Sequence, residues 1–192
     1  SHQQLLGFRD FVSGNHDLVR DVGESSHGTL MAGILISNGT SNGVAPEVGL
    51  SVALALDSEG TSGSTDRVAQ AIRWCRITQK VDIISLSLGG SPSQFTSSTS
   101  SQTNSAVQEA LDAGIFVVAA AGNTGLDTEI NDVSQPSSIS GVISVGAITK
   151  SGNVWGSSAF GSSTDPLTGE ERDFPNQKPE VLAPGVNIFS TA

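Results

Sequence analysis

Disulfides, membrane spans and a basic surface are all missing from this sequence. Its 192 residues contain a single cysteine, Cys75, which excludes an internal disulfide, so packing has to hold the fold together. No stretch approaches the apolar length of a membrane-spanning helix, and no signal peptide is visible. Nineteen acidic residues against nine Lys and Arg give a formal net charge of -10. This charge argues against nucleic-acid and anionic-membrane partners, which attract basic surfaces.

Nucleotide-binding motifs are also absent. The sequence has neither G-x-G-x-x-G nor a phosphate-binding loop with Lys followed by Ser or Thr, which argues against a nucleotide-binding α/β domain. With 36% hydrophobic residues, the chain can bury one sizeable core, so one domain is expected. Strand and helix patterns alternate, which predicts an α/β fold with a parallel sheet. The predicted helices are 28–36, 65–79 and 103–113, and the predicted strands are 50–56, 82–88, 115–121, 142–148 and 181–182.

The lone cysteine falls on an amphipathic helix. Val68, Ala71, Ile72 and Cys75 recur at spacings of three and four, which places them on one face of the helix predicted over 65–79. This periodicity favours a buried thiol over a nucleophilic pair with His27.

His27 opens a helix of small and apolar residues, Gly28 to Ile36. A histidine at such a place is held rigidly and points outward, as a general base must. The alternative is a capping or packing histidine without a chemical role.

Asn123 follows the short apolar run Gly114 to Ala121. The pattern predicts a buried strand that carries the asparagine to a cleft, where its amide could stabilise an oxyanion in a transition state. The alternative is a turn asparagine, which tolerates a left-handed backbone.

Four blocks, in this order, resemble the subtilisin-like serine proteases (subtilases). They are S-H-G-T-x-x-A-G at 26–33, I-S-L-S-L-G-G at 84–90, A-A-A-G-N at 119–123 and K-P-E-V-L-A-P-G-V at 178–186. The resemblance spans nearly the whole chain. It implies a three-layer α/β fold, with a parallel sheet covered by helices on both faces. Residues 1–192 would then form a single partial catalytic domain, incomplete at both ends.

The resemblance also implies an Asp/His/Ser triad with His27 as its base and Asn123 as the oxyanion donor. The family's D-T-G or D-S-G and G-T-S-M-A motifs are absent, and Gly39-Thr40-Ser41 and Gly60-Thr61-Ser62 lie in loop-like clusters. Asp10, Asp17 and Asp21 follow no apolar strand in the sequence and are not nominated as the triad acid. We therefore expect the acid before residue 1, the nucleophile after residue 192 and no peptide hydrolysis by this chain alone.

Substrate-binding positions follow from the same resemblance. A polypeptide substrate would add as an extended strand to the backbone of Ser87, Leu88, Gly89 and Gly90. One wall of the primary specificity pocket would be formed by Ala120, Ala121 and Gly122, and such small residues leave room for a large apolar side chain.

Other features refine this reading. Leu30 stands where many subtilases have a second histidine, and Asp21 precedes His27 as an acid that lines the cleft or orients the base.

No cofactor is required, although the acidic loops 57–59 and 127–132 are candidates for calcium, which the family often uses. The family and the acidic composition favour an extracellular protein that a propeptide could assist. The alternative function is a catalytically dead relative that binds peptides without cutting them.

Overall fold

The structure is a computed structural model that describes residues 4–23, 25–62, 66–90, 98–126, 132–161, 168–169, 171 and 177–190, with no side-chain description for 98–101. It divides into two compact units, Ser1–Val81 with Phe189–Ala192, and Asp82–Ile188. The strands are β1 (Leu5–Asp10), β2 (Leu50–Leu54), β3 (Ile83–Leu86), β4 (Phe116–Ala120), β5 (Ile143–Ile148) and β6 (Val181–Pro184). The helices are α1 (His27–Ile36), α2 (Arg67–Trp74) and α3 (Ser98–Asp112). A π-helical turn, Cys75–Gln79, continues α2.

The first unit is built on a parallel pair of strands, β1 and β2, which align Phe8 with Val52 and Asp10 with Leu54. β1 was not anticipated, so the expectation that Asp10 follows no apolar strand is wrong. The segment Leu5–Asp10 carries a glycine and an arginine among its apolar residues, which hides its strand character in the sequence.

The amphipathic pattern of α2 is confirmed. Its buried residues include Val68, Ala71 and Ile72, and Trp74 packs edge-on against the Phe11 ring at 6.2 Å. Burial raises the pKa of the Cys75 thiol to about 11. The thiol is therefore protonated at neutral pH, which makes it unsuited to act as a nucleophile.

The second unit holds a parallel sheet in the order β3-β4-β5-β6. Ile84, Leu86, Val117 and Ala119 are buried on one face, and α3, which contacts β4, buries its own apolar residues. The opposite face carries exposed apolar side chains: Ile83 is 60% exposed, Phe116 64% and Val181 46%. The predicted α/β class with parallel strands and helices is confirmed, and α3 begins earlier than expected, at Ser98.

An ion pair between a buried lysine and a partly exposed glutamate joins the starts of β5 and β6. The Lys178 side chain is fully buried, donates from Nζ to the Val142 carbonyl and pairs with the Glu180 carboxylate. Glu180 Oε2 in turn accepts the Ser144 N–H at 2.7 Å. The charged residues of the K-P-E motif thus hold the last two strands in register.

Among the helices of the described residues, none has the length and apolarity needed to cross a membrane.

Candidate active site

His27 is the first residue of α1, and its side chain is exposed. The residue before it, Ser26, has a left-handed backbone with φ 50° and makes no side-chain capping bond. The four N–H groups at the start of a helix need acceptors from elsewhere, because no turn precedes them. At the start of α1 one such acceptor is Asp21.

Asp21 caps the helix that carries His27. Its Oδ2 accepts the Thr29 N–H at 2.8 Å and the Thr29 hydroxyl at 2.9 Å, and its Oδ1 accepts the Gly23 N–H at 3.1 Å. Burial raises the pKa of Asp21, but the hydrogen bonds from Thr29 and Gly23 and the charge of His27 outweigh it and lower the pKa below its usual value. A carboxylate at a helix N-terminus also interacts favourably with the helix dipole. Both oxygens of Asp21 therefore hold the backbone around His27.

Asp10, which also precedes α1, has a separate structural task. Asp10, at the end of β1, is fully buried and pairs through Oδ2 with Arg20 Nη2 at 2.6 Å. Its Oδ1 accepts the N–H groups of Val12 and Ser13 at 2.8 and 2.9 Å. Burial raises the pKa of Asp10, but hydrogen bonds from Ser13, Arg20 and Val12 outweigh this effect and bring it to about 2. Asp10 therefore stabilises the loop that follows β1.

Asp57, in one of the two predicted calcium loops, already has a cationic partner. Its Oδ1 accepts the Thr61 N–H at 2.9 Å, and its Oδ2 contacts Arg67 Nη2 at 3.2 Å. Within the described ranges, no group of three or more His, Cys, Asp or Glu side chains could hold a metal. The second predicted loop, 127–132, lies outside the described residues except for Asp132. Calcium binding therefore stays a prediction.

Asn123 follows β4 and is exposed in a bend of the backbone. The preceding Gly122 has φ +108°, a conformation that side-chain-bearing residues rarely adopt. The Gly122 carbonyl accepts the Ala159 N–H at 3.0 Å, and the Ala121 carbonyl accepts the Ser134 N–H at 2.6 Å. These bonds fix the backbone while the Asn123 side chain faces solvent.

The two predicted substrate-binding segments lie side by side. β3 pairs with β4 so that Leu86 aligns with Ala119, which places Ser87–Gly90 beside Ala120–Gly122 at the carboxyl ends of neighbouring strands. In parallel α/β sheets this edge is where ligands bind. Ser87, Gly89 and Ala120 are exposed, Leu88, Gly90 and Gly122 are half-buried, and Ala121 is buried.

Gly90 is already paired within the chain. Its N–H donates to the Gln135 carbonyl at 3.2 Å, and its own carbonyl accepts the Gln135 N–H at 3.1 Å. The binding of a peptide strand to Ser87–Gly90 stays a prediction. Gln135 and its neighbour Ser134 were not singled out in the sequence, because only tertiary packing brings them to these strand ends.

His27 belongs to the first unit and Asn123 to the second. The convergence of their side chains on one groove stays a prediction.

Comparison with known proteins identifies the family. Residues 10–192 match the subtilase family model, and the chain belongs to that family. It is 34% identical to the serine protease AprX of Bacillus subtilis, over 97% of this chain and 43% of the relative, and 34% identical to the major intracellular serine protease of the same organism, over 98% and 54%. The solved structure of sphericase superposes with a TM-score of 0.72 at 30% identity, covering all of this chain and 64% of that one. The chain spans about half the length of the curated relatives it matches.

Proposed function

We propose that this chain is the part of a serine endopeptidase that supplies the base, His27, and the oxyanion donor, Asn123. Two observations together support the proposal: the match to the subtilase family model and the local geometry of these two residues. His27 is exposed at a helix start that Asp21 holds in place. Asn123 is exposed on a backbone that is fixed on both sides.

The proposed reaction follows the chemistry of serine acyl transfer. A serine hydroxyl attacks the peptide carbonyl while His27 takes its proton and then passes that proton to the leaving amine. The Asn123 amide donates a hydrogen bond to the oxyanion of the tetrahedral intermediate. The 192 residues contain neither motif for the triad acid or the nucleophile, so both would come from outside them and this chain alone would not hydrolyse peptides.

The proposed substrate is an extended polypeptide that pairs with Ser87–Gly89, with one of its side chains beside Ala120, Ala121 and Gly122. Assistance by a propeptide, calcium binding and an extracellular location are further proposals from the family. The cellular location needs a direct test, because two relatives are named as intracellular serine proteases.

A fluorophosphonate probe, which reacts with activated serines, tests the proposal on the protein expressed from its complete gene. We expect the probe to label the protein and His27→Ala to lose labelling, because the serine is then no longer activated. His16→Ala is the matched control: His16 Nδ1 accepts the Asp10 N–H at 3.2 Å, and this variant should label normally. Strong labelling of His27→Ala would remove the histidine from its proposed role.

The alternative function is a domain that binds peptides without cutting them, and substitutions at the acid and nucleophile positions of the complete protein would favour it. That function would appear as saturable peptide binding by the complete protein with no probe labelling and no cleavage products.

A further inference from the structure

Two Asn-Gly steps, Asn38-Gly39 and Asn42-Gly43, lie in the short loop that follows α1. In such a step the backbone nitrogen of the glycine can attack the side-chain carbonyl carbon of the asparagine, because glycine has no Cβ atom to hinder the approach. The attack requires a glycine N–H that can lose its proton and a backbone that can rotate. The two steps share this chemistry and differ in their surroundings, so the fold determines which of them reacts.

Asn42-Gly43 lies at the base of the loop and is held there. The Gly43 N–H donates to the Ser37 carbonyl at 2.7 Å. The next two backbone N–H groups donate to the carbonyls of Ile34 and Leu35, in the last turn of α1, at 2.9 and 2.8 Å. A Cβ atom built on Gly43 would lie 2.6 Å from the Leu35 carbonyl oxygen, so this backbone packs directly on the helix. Attack at Asn42 therefore disrupts the bonds that satisfy the last carbonyls of α1.

Asn38-Gly39 lies at the tip of the same loop. Both residues are exposed, and a Cβ atom built on Gly39 would meet nothing within 4 Å. The Gly39 N–H donates one long hydrogen bond, to Asn42 Oδ1 at 3.4 Å, and no described residue bonds to the Asn38 side chain. Rotation into the attacking geometry therefore costs this one long bond and leaves the base of the loop in place.

We propose that Asn38 is a site of spontaneous modification, where the folded chain converts this asparagine to aspartate and isoaspartate while Asn42 stays intact. The Gly39 nitrogen loses its proton to solvent and bonds to Asn38 Cγ, and the Cγ–Nδ2 bond breaks as Nδ2 takes a proton and leaves as ammonia. Water then adds to either carbonyl of the resulting succinimide ring and opens it to aspartate or isoaspartate. Water is the co-reactant, and the reaction uses neither His27 nor Asn123.

The modification changes the charge at the carboxyl end of α1. Asn38 directly follows Ser37, the C-cap residue of this helix, and each event replaces a neutral amide with a carboxylate. A negative charge at this end opposes the helix dipole. Isoaspartate also adds a methylene group to the backbone of the loop. The product therefore weakens the end of the helix that begins at His27.

The test ages the protein expressed from its complete gene at pH 8 and 37 °C, after a fluorophosphonate has blocked any serine protease activity. Peptide mapping with electron-transfer fragmentation quantifies aspartate and isoaspartate at each asparagine over time. We expect conversion at Asn38 to be at least about tenfold faster than at Asn42, because the Asn42 step must first lose a hydrogen bond and its packing.

Two controls isolate the effect of the fold. In guanidinium chloride both Asn-Gly steps lose their folded surroundings, and the two rates should become similar. Gly39→Ala should lose most of the conversion at Asn38, because its Cβ hinders the attack, and should fold normally, because that Cβ has open space around it.

Equal rates at Asn38 and Asn42 in the folded protein would overturn the proposal. Aspartate at Asn38 without isoaspartate would also overturn it, because direct hydrolysis of the amide forms no succinimide ring. A preference for Asn38 that persists unchanged in guanidinium chloride would assign the difference to the neighbouring sequence and refute the role of the fold. All of these outcomes are independent of whether the protein hydrolyses peptides.

Discussion

The two units of the molecule position their candidate residues by different means. In the first unit, Asp10, Asp21 and Asp57 each accept several hydrogen bonds and fix the backbone next to them. In the second unit, Gly89, Gly122 and Ser134 fix the backbone by close packing and backbone hydrogen bonds, with one ion pair, of which only the lysine is buried, at the starts of β5 and β6. Hydrogen bonds to carboxylates depend on pH, whereas packing of neutral groups does not. Acid should therefore loosen the surroundings of His27 before those of Asn123.

The largest effect on stability is expected at the Lys178–Glu180 ion pair of the second unit. Glu180→Ala removes the carboxylate that pairs with the buried Lys178 ammonium, and we expect a cost of about 2 to 3 kcal/mol, below that of a fully buried pair because Glu180 is 37% exposed. Urea unfolding at pH 7 measures the loss. Lys150→Ala, at an exposed position, should change stability by less than about 0.5 kcal/mol. An equally small change in Glu180→Ala would show that the pair does not hold the two strands.

An intermediate effect is expected from Asp10. Its pKa is lowered to about 2 from the ordinary 3.8, so its contribution to stability is complete above pH 4 to 5 and is lost as the pH falls through 2. Because Arg20 is partly exposed to solvent, we expect this contribution to be about 1 to 2 kcal/mol.

The measurement compares wild type with Asp10→Asn in urea at pH 7, 5, 3 and 2. The wild type should be the more stable at neutral pH, and the gap should narrow towards pH 2. A gap that stays constant over this range would mean that the charge of Asp10 contributes nothing to folding.

The smallest effect is expected from Asp21. Asn at this position keeps one acceptor oxygen and loses the charge and the second acceptor, which costs about 1 kcal/mol at a helix N-terminus. Thermal unfolding measures it, with the exposed Asp17→Asn as a matched control. Similar melting temperatures for the two variants would show that α1 does not depend on this cap.

The elements that the sequence predicted well are those in which one local pattern dominates. The three- and four-residue spacing of α2 and the apolar run of β4 match the observed elements within a few residues. β1 was missed because its glycine and arginine interrupt the apolar pattern. The π-helical turn after Trp74 was missed as well, since its residues continue the helical spacing of α2.

The sequence by itself determined the family and the order of the motifs and predicted His27 and Asn123 as candidate residues, because these are properties of short local patterns. Only the tertiary structure decided which side chains surround them. Three contacts join residues that are distant in the chain or lie in separate turns. They are the capping of α1 by Asp21, the pairing of Gly90 with Gln135, and the packing of Ser134 between Gly89 and Gly122. Such contacts depend on the path of the backbone through the fold and, at each of the two glycines, on the absence of a Cβ atom. The spacing of residues in the sequence predicts neither.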